Sequence, residues 1–152
     1  MIVFRLSRSV YANDLSGRGA EIAGGRWNNK GIPLIYTAQN ISLCMAEVAV
    51  HLPLGILPKD YTLISIEIPD DDFEVFSLSD FKVESIRDLY YETTQKIGNE
   101  FVKNSAKMML KVPSVVVQGE FNILINPRHS DIHKVKIIKT ETFEFDRRLF
   151  VR

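Results

Sequence analysis

The sequence predicts a single α+β domain, and three observations carry that expectation. Short stretches that alternate with a period of two occur near both ends of the chain. One helical stretch around residues 41–52 is apolar nearly all round, and a longer helical region fills the middle. With 152 residues, 45% of them hydrophobic and 25% charged, the chain can bury a sizeable core as one unit over 1–152 and needs no second domain.

The first strand is read from Ile2, Phe4 and Leu6 alternating with Val3 and Arg5. If both of its faces are covered, Arg5 is a candidate site residue; if not, it is a solvated edge charge. Residues 12–20 are rich in turn formers and read as a loop that leads into Gly24-Gly25. Ile32 to Ala38 is a short strand-like run containing Tyr36. The helix over Ile41 to Leu52 has Asn40 or Ser42 available as N-cap. After Pro53 and Pro58, Tyr61 to Ile68 reads as a strand closed by Pro69, and Asp70-Asp71-Asp72 as a solvated turn. Residues 79–91 are mixed to helical. The stretch 92–109 is helical, with Ile97, Phe101 and Met108 as a stripe and Gly98 as a weak point. Strands are then expected at 111–117, 121–126 and 135–139, followed by an alternating end with Phe143 and Phe145.

Composition excludes several classes of function. Lys plus Arg and Asp plus Glu are 19 each, so no net charge favours nucleic acid or a membrane surface. No apolar run is long enough to cross a bilayer, and the amino end reads as strand instead of signal peptide, which makes the cytoplasm the expected location. Cys44 is the single cysteine and reads as a small core residue. His129 and His133 are spaced like half of a zinc site, but the matching cysteine pair is missing, so no metal is expected. Gly17 and Gly19 begin a dinucleotide fingerprint whose strand and third glycine are absent.

The chemistry-bearing residues cluster between Gly24 and Glu47. A carboxylate on an apolar helix must find partners or shift its pKa, because an unpaired buried charge is costly. Glu47 is therefore either functional or unusually well paired, the alternative being a narrow solvated stripe with His51. Gly24-Gly25 lets a loop lie close to a ligand and delivers the planar donor fork of Arg26, suited to phosphate or carboxylate. Tyr36 offers an aromatic face with a hydroxyl handle. Ser114 and Asn122, polar residues at strand ends, can line a cleft.

Taken together, Val3-Phe4-Arg5-Leu6, Gly24-Gly25-Arg26-Trp27-Asn28, Ile35-Tyr36-Thr37-Ala38, Ala46-Glu47, Val112-Pro113-Ser114 and Asn122 through His129 resemble the RES domain, a bacterial toxin family paired with Xre-type antitoxins. The resemblance runs from Phe4 to Phe150 and departs from the family pattern at Ser130 and Asn99. It implies a compact fold like that of diphtheria-toxin-type ADP-ribosyltransferases, with a split, mainly antiparallel sheet and flanking helices. It further implies an enzyme that takes NAD as substrate and cleaves its nicotinamide–ribose bond by hydrolysis or phosphorolysis. Transfer of ADP-ribose to a protein is the alternative, and a non-catalytic binding module within a toxin–antitoxin complex is a further one. Carried over by position, the catalytic set is Glu47, Tyr36, Arg26 and Ser114. The NAD-binding set is Arg5, Arg26, Tyr36, Ser114 and Asn122. The resemblance also implies an Xre-type antitoxin partner, DNA contact only through it, and a homo-oligomer or a hetero-oligomer with the antitoxin.

Overall fold

The computed structural model describes residues 1–151. Its strands are β1 (Ile2–Arg8), β2 (Ile35–Ala38), β3 (Tyr61–Glu67), β4 (Phe73–Val75), β5 (Met109–Pro113), β6 (Phe121–Ile125) and β7 (Lys136–Phe143). Its helices are α1 (Arg18–Ala23), α2 (Ile41–Ala49) and α3 (Tyr91–Asn104). The strands form one sheet in the order β4-β5-β6-β2-β1-β3-β7. Every pairing is antiparallel except that of β4 with β5.

The sheet is split in the middle. β1 pairs with β3 along its whole length, from Ile2↔Glu67 to Arg8↔Tyr61, and β2 pairs with β6 through all of its residues. Between β1 and β2 the register holds one pair, Phe4↔Ala38. Beyond it the strands part, so Arg5 and Leu6 have no partner across the gap on β2. Two half-sheets, β4-β5-β6-β2 and β1-β3-β7, are thus joined at a single pair.

Both faces of the sheet are covered. On one, Val3, Ile35, Ile64, Ile66, Ile123 and Ile125 form a core with Ala12 and Val135. The opposite face is roofed twice. Leu110, Val112 and Leu124 pack with Trp27 and with Phe101 and Val102 of α3, while Leu6, Ala38, Tyr61 and Leu63 pack with Leu43 and Cys44 of α2. A strand buried on both faces reads as a continuous apolar run, as Ile123 to Ile125 does. This is the setting in which Arg5 becomes a candidate site residue.

Several expectations change. Residues 12–20 are not all loop, since α1 begins at Arg18. α3 stops at Asn104, five residues before the predicted end, where Ser105 takes a left-handed conformation (φ 48°) and Met109 already belongs to β5. β4, absent from the sequence reading, follows the acidic turn. Within that turn Asp72 is structural, accepting from the Met108 amide at 3.2 Å and pairing with Lys107 at 3.4 Å. The strand expected over 111–117 ends at Pro113, and the two carboxy-terminal strand signals merge into β7 with a bulge opposite Ser65/Ile66. Gly98 is a seat and no weak point: a Cβ there would lie 1.7 Å from the Trp27 carbonyl oxygen, so only glycine lets α3 approach that backbone.

Candidate active site

α2 starts where the Asn40 side chain accepts from the Leu43 amide at 2.8 Å, satisfying one orphan donor of the first turn. The helix is less buried than its composition predicts: only Leu43 and Cys44 are fully covered, and Val50 just beyond it is exposed. Glu47, half-buried, reaches across to the other half-sheet. Its Oε1 accepts from Ser114 Oγ at 2.7 Å and from Asn122 Nδ2 at 2.5 Å. His51 lies past the helix end and is exposed, so the paired reading of Glu47 replaces the solvated stripe.

Ser114 is held on three sides. Besides donating to Glu47, its Oγ accepts from the amides of Val116 at 3.0 Å and Val117 at 2.9 Å. These bonds offer the backbone an alternative to the sheet ladder, which is why β5 ends one residue earlier. The Ser114 amide in turn donates to the Glu120 carbonyl at 2.8 Å, while Asn40 Nδ2 donates to the Glu120 carboxylate at 2.9 Å. The turn 114–120 is therefore fastened to the start of α2.

Asn122 pairs with Ala38 and Leu124 with Tyr36. Directly opposed residues and residues two apart share a face, so Tyr36 and Asn122 are diagonal neighbours on one face, about 7–8 Å apart at Cα. Tyr36 carries a second cluster. Its hydroxyl accepts from the Trp27 amide at 3.0 Å and donates to Asn28 Oδ1 at 2.7 Å. Burial pushes its pKa well above the ordinary value, so the phenol stays protonated. Gly25 is required here, because a Cβ would stand 2.6 Å from the Tyr36 hydroxyl.

Asn28 organises this loop and was not singled out by sequence. Fully buried, it donates from Nδ2 to the carbonyls of Ala20, Ile32 and Asn29. From α3, Thr94 Oγ1 donates to the Arg26 carbonyl at 2.7 Å and Gln95 Nε2 to the Gly25 carbonyl at 3.0 Å. Asn99 exchanges bonds with Asn29 through its side chain. The signal available beforehand was an asparagine directly after Gly-Gly-Arg-Trp; the α3 partners lie about seventy residues away and left none.

Arg26 is spent differently from the sequence expectation. Its Nη2 donates to the carbonyls of Ile86 at 2.8 Å and Leu89 at 3.2 Å, and its guanidinium stands 5.6 Å from the Tyr91 ring centre. Its buried Nε has no partner. Arg5 lies on the face opposite Tyr36 by alternation, at the point where β1 and β2 part. There its Nη1 donates to the Asp14 carbonyl, and burial lowers its pKa while Asp14 opposes the shift. A cavity of about 100 Å³ fills the gap, lined by Arg5, Asp14, Gly17, Arg18, Leu34 and Tyr36 among others. The structure thus brings Glu47, Ser114 and Asn122 into direct contact, sets Tyr36 beside them and at the same gap as Arg5, and ties Arg26 to the 86–89 loop. Among the described residues no cluster of histidine, cysteine and acids is arranged to hold a metal.

Comparison with known proteins places this geometry in context. The profile of the RES domain matches residues 2–147. A protein of Photorhabdus laumondii named Toxin Res is 36% identical over 151 residues, covering 98% of this chain and 97% of the relative. A protein of a Sphingobium species named Prs ADP-ribosylating toxin is also 36% identical, covering 94% and 91%. Among solved structures, the crystal structure of the M. tuberculosis MbcT–MbcA toxin–antitoxin complex contains a chain that superposes with a TM-score of 0.74 at 20% identity. That match covers 94% of this chain and 84% of the other and reflects a shared fold.

Proposed function

The chain belongs to the RES domain family of toxins, and from that premise we propose that it consumes NAD by breaking the bond between nicotinamide and ribose. The observation that carries the reading is the Glu47 carboxylate, oriented by Ser114 and Asn122 through one oxygen while Oε2 accepts no hydrogen bond among the described residues. Loss of nicotinamide leaves positive charge on the ribose C1′ and ring oxygen, and a positioned carboxylate stabilises such an oxocarbenium-like transition state. The C–N bond breaks, nicotinamide departs with its electron pair, and an acceptor oxygen from water or phosphate bonds to C1′ and releases its proton to solvent. Ser114 and Asn122 hold Glu47 in place.

Tyr36 contributes its ring face. Both hydrogen-bonding capacities of its hydroxyl are used by the Gly25–Asn28 loop, and its raised pKa removes it as a base. Stacking on the cationic nicotinamide remains its fitting role. Arg5 supplies fixed positive charge at the gap for the anionic part of NAD. Arg26 acts on the substrate through the loop that it braces, with Nε buried and unpaired.

A second reading is transfer of ADP-ribose to a protein, favoured by the name of the Sphingobium relative. It uses the same leaving group and the same Glu47, and differs in the acceptor. An antitoxin of Xre type is the proposed partner, with any DNA contact made through it; the MbcT–MbcA complex supports an antitoxin for this fold. The cytoplasm, where NAD is plentiful, is the proposed site of action. No helix of the described residues is long and apolar enough to cross a membrane.

The test is NAD concentration over time with purified protein, with and without phosphate, the ribose product being identified by mass. Loss of NAD supports the reading, and a phosphate-dependent product selects phosphorolysis. Nicotinamide released in step with a protein that gains the mass of one ADP-ribose, without a free ribose product, selects transfer.

A further inference from the structure

Resting on the NAD reading above, we propose that Arg18, on α1, is the outer arm of the subsite that takes the diphosphate of the dinucleotide, and that Arg26 is a brace of the fold. A diphosphate carries two negative charges and is best held by two guanidinium forks. Arg5 and Arg18 are both among the residues that line the cavity between β1 and β2, and Arg26 is not. Arg26 has Nη2 committed to two backbone carbonyls and its plane near Tyr91, so recruiting it would unfasten the 86–89 loop.

Arg18 is free to move by comparison. Its side chain is 66% exposed, and its bond from Nη1 to Glu21 Oε2 is a surface pair within one helical turn, a weak class of interaction. Glu21 also faces Arg128 at 3.6 Å, so one carboxylate is shared between two cations. The backbone of Arg18 is nevertheless fixed beside the cavity. Gly17 has φ 71°, and a Cβ there would stand 2.7 Å from the Leu34 amide nitrogen and 3.0 Å from Pro127, so the Gly17–Arg18 peptide is pressed against the entry to β2. The acid in the lining, Asp14, is engaged with the Ser16 amide at 2.8 Å through its carboxylate and with Arg5 through its carbonyl. A fixed inner cation and a swinging outer one fit an anion that enters from solvent and is then gripped.

The experiment combines steady-state NAD kinetics with calorimetric titration of two probes, ADP-ribose, which keeps the diphosphate, and adenosine, which lacks it. Arg18→Ala is expected to raise KM for NAD and weaken ADP-ribose binding about tenfold each. Its kcat should stay within about twofold, its adenosine affinity unchanged and its unfolding midpoint that of the wild type; Arg18→Lys should recover part of the loss. Unchanged KM and ADP-ribose affinity in Arg18→Ala, or equal losses for adenosine, would overturn the assignment. So would a wild-type chain that binds no ADP-ribose. A wild type that consumes no NAD yet binds ADP-ribose in an Arg18-dependent way would remove the proposed chemistry and uphold the subsite. Turnover indifferent to Arg18 would do the reverse.

Discussion

Replacing Glu47 by glutamine removes a charge while keeping an acceptor, and the surroundings of this side chain make that substitution unusually clean. The glutamine Oε1 can still receive Ser114 Oγ and Asn122 Nδ2, which now sit at 2.7 and 2.5 Å from the carboxylate. Two charge-assisted bonds become neutral, so stability falls by about 1 kcal/mol for each, and the unfolding midpoint drops by roughly 4–8 °C in a chain of this size. The transition state loses much more. Deleting one preorganised stabiliser of developing charge lowers kcat on the order of 10²–10³-fold, or about 3–4 kcal/mol. Alanine is a poorer probe, because it strands both donors at about 1–3 kcal/mol each and confounds folding with chemistry. The assay is NAD consumption by Glu47→Gln, with circular dichroism and thermal unfolding on the same sample. A folded variant that consumes NAD at the wild-type rate would refute the argument.

Three further outcomes follow from the same geometry. Gly98→Ala drives a methyl to within 1.7 Å of the Trp27 carbonyl oxygen; α3 must shift, and chemical denaturation should report a loss of about 3 kcal/mol or failure to fold. Tyr36→Phe leaves the Trp27 amide and one lone pair of Asn28 without their partner, which should cost about 1–3 kcal/mol and raise KM for NAD through a loosened Gly25–Asn28 loop. Cys44 provides a pH test. Burial pushes its thiol pKa from 9.0 up to about 12, so the folded chain should resist alkylation at pH 8 and react only when unfolded. Because the unfolded thiol ionises first, the contribution of Cys44 to stability is whole below its unfolded pKa and declines as pH rises from there toward about 12. Denaturation midpoints from pH 7 to 11 measure it, and a midpoint rising over pH 9–11 would contradict the sign.

What the sequence made legible is what periodicity and local chemistry control. β1, β3, β6 and α2 were readable because each carries a run of apolar residues long enough to define a face, and α2 also has its Asn40 cap. β4 was hidden because three residues with mostly exposed side chains carry no pattern, and their strand character comes from backbone pairing with β5. The end of α3 was misplaced because no glycine marks it: Ser105 adopts the left-handed turn and hands its Oγ to the Val102 carbonyl. At the site, Glu47 stood out as a carboxylate on an apolar helix, but Ser114 and Asn122 lie 67 and 75 residues further on. No spacing rule joins residues so distant, and the family resemblance supplied that grouping. The Gly-Gly-Arg pattern suggested close approach to a ligand; the approach seen is that of Gly25 to the Tyr36 hydroxyl, and the carbonyls that occupy Arg26 belong to residues 86 and 89 and were invisible from position 26.

The split in the sheet gives the Glu47 cluster a second consequence. α2 packs through Leu43 and Cys44 on Leu6 and Leu63 of one half and on Ala38 at the edge of the other, and Ser114 and Asn122 belong to β5, β6 and the turn between them in that other half. The backbone joins the halves at Phe4↔Ala38 alone. The bonds from Ser114 and Asn122 to Glu47, with the Asn40–Glu120 link beside them, therefore cross the division and act as side-chain clasps near the gap that holds Arg5. The carboxylate proposed to stabilise the departing ribose thus also helps to clasp the half-sheets, beside the apolar cores that span them. An enzyme built this way keeps its charge positioned before substrate arrives, which is the condition for electrostatic stabilisation without reorganisation at the moment of reaction.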